Sequence, residues 1–433
     1  MGKIIIFFGF LFICIQSLFA VIINVPADQP SIQEGLNATS VNDTVLVAEG
    51  TYFENIEWPD TDCIVLISEA GATNTIIDGS EQDRVIYIPE ACTLTNETVI
   101  DGFTIQNGHY SGNGPHPGGG IADYCGLTIR NNIIQNNFAQ GLGAGIIEVG
   151  GFPIIFNNLI INNTSDDAAG GICVSFCEAI IRNNTIVGNS VDNGSGGGGI
   201  VLFWASGTTV IEDNIIANNS ADGSELGGGG IYVLNSNYSL DHNDLWGNTP
   251  DNYIGCSAGP NSISEEPWFI YNDNGDYFLG QAISLCINAG SQTAIEAGLD
   301  NYTTSYEFIL DSDQVDLGYH YNPDHFDQND VDDDSVLPSE NLLLSNYPNP
   351  FNPSTTISFS LPENIEDAEI IIYNSKGQRI REFYLPSTIN SQPSSIHWNG
   401  KNDIGKSVSS GVYFYQLKVG TKFIQTRKMI LMK

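Results

Sequence analysis

Between residues 100 and 250 one unit recurs: a Gly-rich turn, a short apolar run, then a second apolar run flanked by Asn. The Gly-rich starts are GGGI at Gly118 to Ile121, GAGI at Gly143 to Ile146, AGGI at Ala169 to Ile172, and GGGI at Gly197 to Ile200 and at Gly228 to Ile231. The flanked runs read NNIIQNN, NNLIINN, NNTIVGN, DNIIANN and HNDLWGN, with the second residue at Asn132, Asn158, Asn184, Asn214 and Asn243, so the steps are 26, 26, 30 and 29 residues. A period in the twenties, built from β-branched runs too short for a helix, constrains the chain to an all-β solenoid.

The coil explains the composition. Each short strand, such as Ile133 to Ile134 or Ile215 to Ile216, is expected to pair in parallel with its copy about 4.8 Å away in the next coil, stacking apolar side chains inside. Asn at a corner tolerates left-handed backbone angles and can hydrogen-bond its counterpart one coil on. Gly ahead of each strand permits positive φ and close coil-to-coil approach. These Asn and Gly residues are therefore read as structural.

Ile23 to Ile56, INVPADQPSIQEGLNATSVNDTVLVAEGTYFENI, resembles the opening coil of right-handed parallel β-helix proteins of the pectate-lyase-like superfamily. The resemblance implies a capping helix near Ser31 to Asn37 and a first full strand in DTVLVAEGTY. TIIDG at Thr75 to Gly79 and VIDGFTIQNG at Val99 to Gly108 match the coil pattern, while SLCINAG at Ser284 to Gly290 and VDLGYHY at Val315 to Tyr321 resemble a closing segment. The fold class expected is a right-handed parallel β-helix over residues 21–322 followed by a small immunoglobulin-like β-sandwich. Fold alone does not fix chemistry.

Charge divides the chain in two. From Val21 to Glu340 there are 45 acidic residues against Arg84, Arg130 and Arg182, whereas Asn341 to Lys433 holds ten basic and six acidic residues. An acidic surface of this size repels nucleic-acid phosphates and anionic lipid headgroups, so nucleic acid is excluded as a partner. Residues 323–341 read as an acidic linker. Asp330, Asp332 and Asp334 alternate as in a calcium loop, but Ser335 and Asn341 replace the Gly and Glu such a loop requires.

At the start, Lys3 precedes an apolar run from Ile4 to Ile15 and then Leu18-Phe19-Ala20, which reads as an export signal over residues 1–20. No later segment is apolar and long enough for a transmembrane helix. Without Cys14, seven cysteines remain, an odd number at irregular spacings, read as structural or unpaired rather than zinc-binding.

In residues 342–433, alternating apolar residues separated by turn sequences suggest an antiparallel sandwich of about seven strands. The opening Tyr347, Pro348, Asn349, Pro350 and Phe351, the SGVYFYQL strand with Gly411 and Tyr413, and the KMILMK terminus with Lys428 resemble the C-terminal sorting domain of type IX secretion cargo. That resemblance implies the type IX secretion machinery as a partner and a secreted or cell-surface location.

For chemistry on the solenoid, a Lys base is excluded over residues 21–340, which contain no Lys. A glycosidase needs two carboxyls about 5–9.5 Å apart, which neighbouring coils supply. The loops entering the Gly-rich turns carry His109 and His116, Asp166 and Asp167, Asp192, Asp222 and Glu225, and Asp251, with Asp123 just beyond the first turn. Asp166, Asp167 and Asp192 are the candidate catalytic carboxylates; the others, with Trp204 and Trp246 as sugar-stacking faces and Phe203 beside them, form a candidate binding ridge that could also hold calcium. Arg130 and Arg182 recur at equivalent stations before an Asn corner and read as structural. The favoured expectation is a glycan-binding surface protein without chemistry of its own, and the alternative a carboxylate-dependent glycoside hydrolase, with a lyase disfavoured.

Overall fold

The computed structural model describes residues 20–90, 93–112, 117–192, 194, 196–221, 227–270, 277–281, 283–326, 344–348, 351–359, 368–374, 379–385, 394–419 and 422–432. Residues 1–19, where an export signal is expected, and most of the stretch expected as an acidic linker, including Asp330, Asp332 and Asp334, lie outside them.

The repeat forms a parallel β-solenoid. Its first sheet has nine strands, from Ile22–Val25 to Asn237–Asp241, and its second has eight, from Gly50–Phe53 to Asp244–Trp246. The third has eight, from Ile56–Glu57 to Tyr253–Ile254, and a short fourth has five, from His109–Tyr110 to Ser220–Ala221. The capping helix is present at Ile32–Asn37, with Ser31 as N-cap accepting from the Glu34 N–H; its Ile32 and Leu36 are fully buried against the first coil.

The two Asn of each corner divide the work. Asn131, Asn157 and Asn183 take φ of 56°, 52° and 54° and turn the chain. The following Asn132, Asn158, Asn184, Asn214 and Asn243 form a buried ladder. Asn158 Oδ1 accepts from Asn132 N and Nδ2 at 3.0 and 3.1 Å, while Asn158 Nδ2 donates to Asn184 Oδ1 at 3.0 Å and to the Ile129 carbonyl at 2.9 Å. A second ladder runs through Asn137, Asn163, Asn189, Asn219 and Asn248, each Nδ2 donating to the next Oδ1 at 2.9–3.0 Å. Two continuous chains thus satisfy the corner amides that the strands leave unpaired.

Most second-sheet strands carry two apolar neighbours facing opposite ways. Ile134, Ile160, Ile186 and Ile216 fill the lumen, while Ile133, Leu159 and Ile215 face outward, yet they too are buried. The segment after the last parallel strand covers them. Cys286 Sγ lies 3.3 Å from Asp244 Oδ2, Gly318 N donates to the Asp213 carbonyl, Tyr319 N to Thr185 Oγ1, and His320 N to Asn157 Oδ1; Asn74 Nδ2 donates to the His325 carbonyl. Residues 284–326 are therefore a strap that descends the outside of the second sheet against the order of the coils. Leu317, Tyr319 and Tyr321 pack with Leu159, Val187 and Ile215 beneath it.

Arg130 and Arg182 serve the structure, as their repeated placement suggests: Arg130 Nε meets Asp101 Oδ2 at 2.7 Å and Arg182 Nη2 meets Glu212 Oε2 at 2.5 Å, each pair bridging adjacent coils. Cys125 is disulfide-bonded, whereas Cys63, Cys173, Cys177, Cys256 and Cys286 are free thiols.

The C-terminal module is an antiparallel sandwich of a three-stranded and a four-stranded sheet. Phe351, Ile357, Trp398, Tyr413, Tyr415, Leu417, Met429 and Leu431 form its core. Phe351 is bound at both ends to the last strand, its N–H donating to the Ile430 carbonyl and its carbonyl accepting from Met432 N.

Candidate functional site

The loops from the fourth to the third sheet carry the proposed carboxylates. Asp166 N donates to the Ala139 carbonyl and Asp192 N to the Ser165 carbonyl, which stacks Gln140, Asp166 and Asp192 in one column, coil above coil. Asp166 is half-buried, Asp167 and Asp192 are exposed, and Asp251 is exposed on the loop of the last coil. His109 lies on the same outer side, its ring stacked on Phe138 with centroids 4.7 Å apart. His116, Asp222 and Glu225 lie outside the described residues.

Asp123 is not on this ridge. Alternation along Ile121–Asp123 turns it into the lumen, where it pairs in register with Glu148 and is fully buried. Asp123 Oδ1 accepts from Cys125 N and Gly126 N, and Oδ2 from Leu127 N, so its carboxylate caps the following turn. Both Glu148 oxygens are buried, with the carboxyl facing that of Asp123. Burial first, then the facing Asp123 charge, push the Glu148 pKa well above the usual carboxylate range.

The aromatic candidates separate. Trp246 ends the top strand of the second sheet, paired with Ala217. Trp204 occupies the corner after the third sheet, in the same column as Gly150, Phe176 and Asn235. Its ring stacks on Phe176 with centroids 5.8 Å apart and planes 10° from parallel, and Phe203 lies beside it at 5.6 Å. Phe176 is 61% and Trp204 48% exposed. Phe176, which sequence reasoning missed, stands one coil below Trp204, and aligning the repeats at this station would have found it.

Phe176 and Trp204 hold φ of 57° and 49°, the left-handed region that bulky side chains avoid. Trp268 and Phe308 also hold left-handed φ, of 55° each, but Phe176 and Trp204 do so at equivalent stations of adjacent coils. The coils below and above place Gly150 (φ 93°) and Asn235 (φ 50°) at the same corner, residues that accept that conformation at little cost. Two large exposed rings are thus kept where small residues would fold more easily. They project from a rigid edge as a flat ledge two coils long. The four-residue strand Ile172–Ser175 separates this ledge from Asp166 and Asp167, a span of about 13 Å, so the structure does not bring carboxylates and ledge together.

Among the described residues, Asp311, Asp316 and His320 offer ligand atoms within 4.8 Å of one another. Their contacts are already those of a strut inside the strap: His320 Nε2 meets Asp311 Oδ2 at 3.0 Å, His320 Nδ1 meets the Gly318 carbonyl, and Asp316 accepts from Asn288 N and Thr304 Oγ1. Burial raises the Asp316 pKa, with the His320 charge opposing it.

In the sandwich, Phe351 and Tyr413 are buried and build the core, with Tyr413 Oη donating to the Ser409 carbonyl. Pro348 and Gly411 are exposed. Asn349 and Pro350 lie outside the described residues, as do the side chains of Tyr347 and Lys428.

Residues 347–422 match the family model of the FlgD Ig-like domain. No curated protein matches the chain. Among solved structures, dimeric latent PorU from Porphyromonas gingivalis aligns at 22% identity over 20% of this chain and 9% of its own, with a TM-score of 0.19. PorZ, a surface component of the type IX secretion system of the same organism, aligns at 16% identity over 31% of this chain and 16% of its own, with a TM-score of 0.17. This chain therefore spans a small fraction of either protein, and overlaps of that size carry no argument about its function. What is established is an all-β chain, a parallel β-solenoid joined to an FlgD Ig-like domain.

Proposed function

We propose that this is an exported, surface-displayed or released protein whose solenoid binds extracellular glycans and whose C-terminal domain directs type IX secretion. The Phe176–Trp204 ledge carries the reading. Flat aromatic faces match the C–H face of a sugar ring, and the two rings are held nearly parallel and exposed on adjacent coils. The acidic module favours neutral glycans over polyuronates. For export, the observation in support is that Phe351 of the YPNPF segment pairs with the last strand, closing the two ends of the resembling sequence into one unit.

The test is retention of the full chain on a panel of immobilised polysaccharides, compared with Trp204→Asn and Phe176→Asn. Both variants introduce the residue that Asn235 already places at this station two coils above Phe176 and one above Trp204, so thermal stability should hold or rise while retention falls by about tenfold or more. Retention unchanged in both variants would remove the ledge from the reading.

A hydrolase is the second reading, and the stacking of Asp166 and Asp192 on adjacent coils favours it. A separation near the coil spacing of about 4.8 Å approaches that of retaining glycosidases. New reducing ends that vanish in Asp166→Asn and Asp192→Asn, but persist in Trp204→Asn, would establish it.

A further inference from the structure

We propose that the cavity between the foot of the strap and the first coils is a second, separate binding site, shaped for a single neutral sugar ring. The cavity measures about 370 Å³, within the range of small-ligand sites. Its walls come from three parts of the chain: Leu46 and Ile67 on the outer face of the first sheet, Thr73 and Asn131 at the corner, and Tyr302, Asn322 and Phe326 from the strap. The strap is seated firmly at this end. Asn74 Nδ2 holds the His325 carbonyl at 2.7 Å, and the His325 ring lies over Gly71, where a Cβ would come within 1.9 Å of Nδ1.

The charges present point to a neutral ligand. Asp101 lines the cavity, but its Oδ2 accepts from Arg130 Nε and its Oδ1 from Asn131 Nδ2, both at 2.7 Å. The negative charge is therefore already matched within the protein, which leaves little to hold an organic cation. Arg130 is committed to the same pair, the His320 ring is tied to Asp311 and the Gly318 carbonyl, and burial lowers the His325 pKa against the opposing effects of Asp324 and Asp101, so that no unpaired cationic group faces an anion at neutral pH. Glu69, exposed at the rim, further disfavours anions. The remaining walls are aromatic faces and amides. Thr73 adds a hydroxyl that is buried at the wall without a hydrogen-bond partner in the structure, and rotation about χ1 would turn it toward a bound sugar hydroxyl. Ring faces for C–H groups and neutral polar groups for hydroxyls are the complement of a pyranose.

The experiment is ligand-observed NMR with calorimetry on the full chain, using the methyl glycosides of glucose, galactose and mannose, with methyl glucuronide and methyl glucosaminide as the anion and cation. At least one neutral glycoside should bind, and at least about tenfold more tightly than the two charged ones. Thr73→Val, which removes a hydroxyl that has no protein partner, and Tyr302→Ala should each weaken binding by about tenfold, while Trp204→Asn leaves it unchanged. Preference for the glucosaminide or the glucuronide would overturn the assignment. So would neutral binding that survives both Thr73→Val and Tyr302→Ala, or no binding of any glycoside. Loss of polysaccharide retention in Trp204→Asn, with no glycoside bound, would sink this site and leave the ledge standing; glycosides bound with retention indifferent to Trp204 would do the reverse.

Discussion

The first and second sheets of the solenoid present much the same chemistry to the outside. On the first, Val65, Val99, Ile154, Ile180 and Val210 share a single outward column with Thr128, and the five are half-buried. On the second, Ile133, Leu159 and Ile215 share an outward column with Thr185 and are buried as deeply as lumen residues. The difference is the strap, whose own sequence does not repeat. Burial on the outside of a repeat protein is therefore decided by a segment outside the repeat, and equivalent residues on two faces of one coil can carry very different energies.

That comparison can be broken by placing charge beneath the strap. Leu159→Asp would bury a carboxylate where the surroundings are Ile133, Val187 and Tyr319, and should cost more than about 4 kcal/mol or prevent folding, as read by urea denaturation. Equal tolerance of the same change at Ile154 and Leu159 would show that the strap does not cover its sheet in solution. Next in size, Leu159→Ala and the lumen change Ile160→Ala should each cost about 2–4 kcal/mol. A clearly smaller loss at Leu159 would mean that the outer layer packs less well than the lumen.

The lumen side of the third sheet gives a test in pH rather than in size. Because Glu148 has a raised pKa in the folded state, its contribution is complete below the ordinary Glu value of 4.5 and is lost as pH rises toward the folded value. Glu148→Gln should remove that decline, so the difference in unfolding free energy between variant and wild type should grow in the variant's favour with rising pH. A constant difference would mean that Glu148 is ionised in place. The smallest effect is expected on the open face, where Ile154→Ala should cost about 1 kcal/mol or less.

What could be read in the sequence is what each coil repeats. The steps of 26, 26, 30 and 29 residues between Asn132 and Asn243 are the register of the ladder, because each coil needs an amide at that station to serve the next. The capping helix follows from the resemblance of Ile23 to Ile56 to an opening coil, and the structure supplies the local reason: Ser31 caps the helix and Ile32 and Leu36 are buried. The candidate site was less legible. Asp123, expected on the ridge because it follows the first turn closely, lies inside because the two-residue alternation sends Ile121 and Asp123 the same way. Phe176 was passed over because a lone aromatic says nothing until its neighbour one coil away is set beside it. The cavity under Tyr302 joins residues more than two hundred positions apart, and no local pattern encodes such a meeting.

The Asn ladders by themselves set no limit on how many coils the stack contains, since any coil that offers the two amides continues both chains. The strap does set one. It touches Asp244, Asp213, Thr185, Asn157 and finally Asn74 in descending order, each through a different residue of its own. Removing a coil such as Leu159 to Asn184 would leave the ladders continuous but shift every later contact against a strap of unchanged length. The non-repeating segment thus works as a gauge: the repeats can be copied or lost one at a time, while the assembled length is fixed by the piece that runs across them.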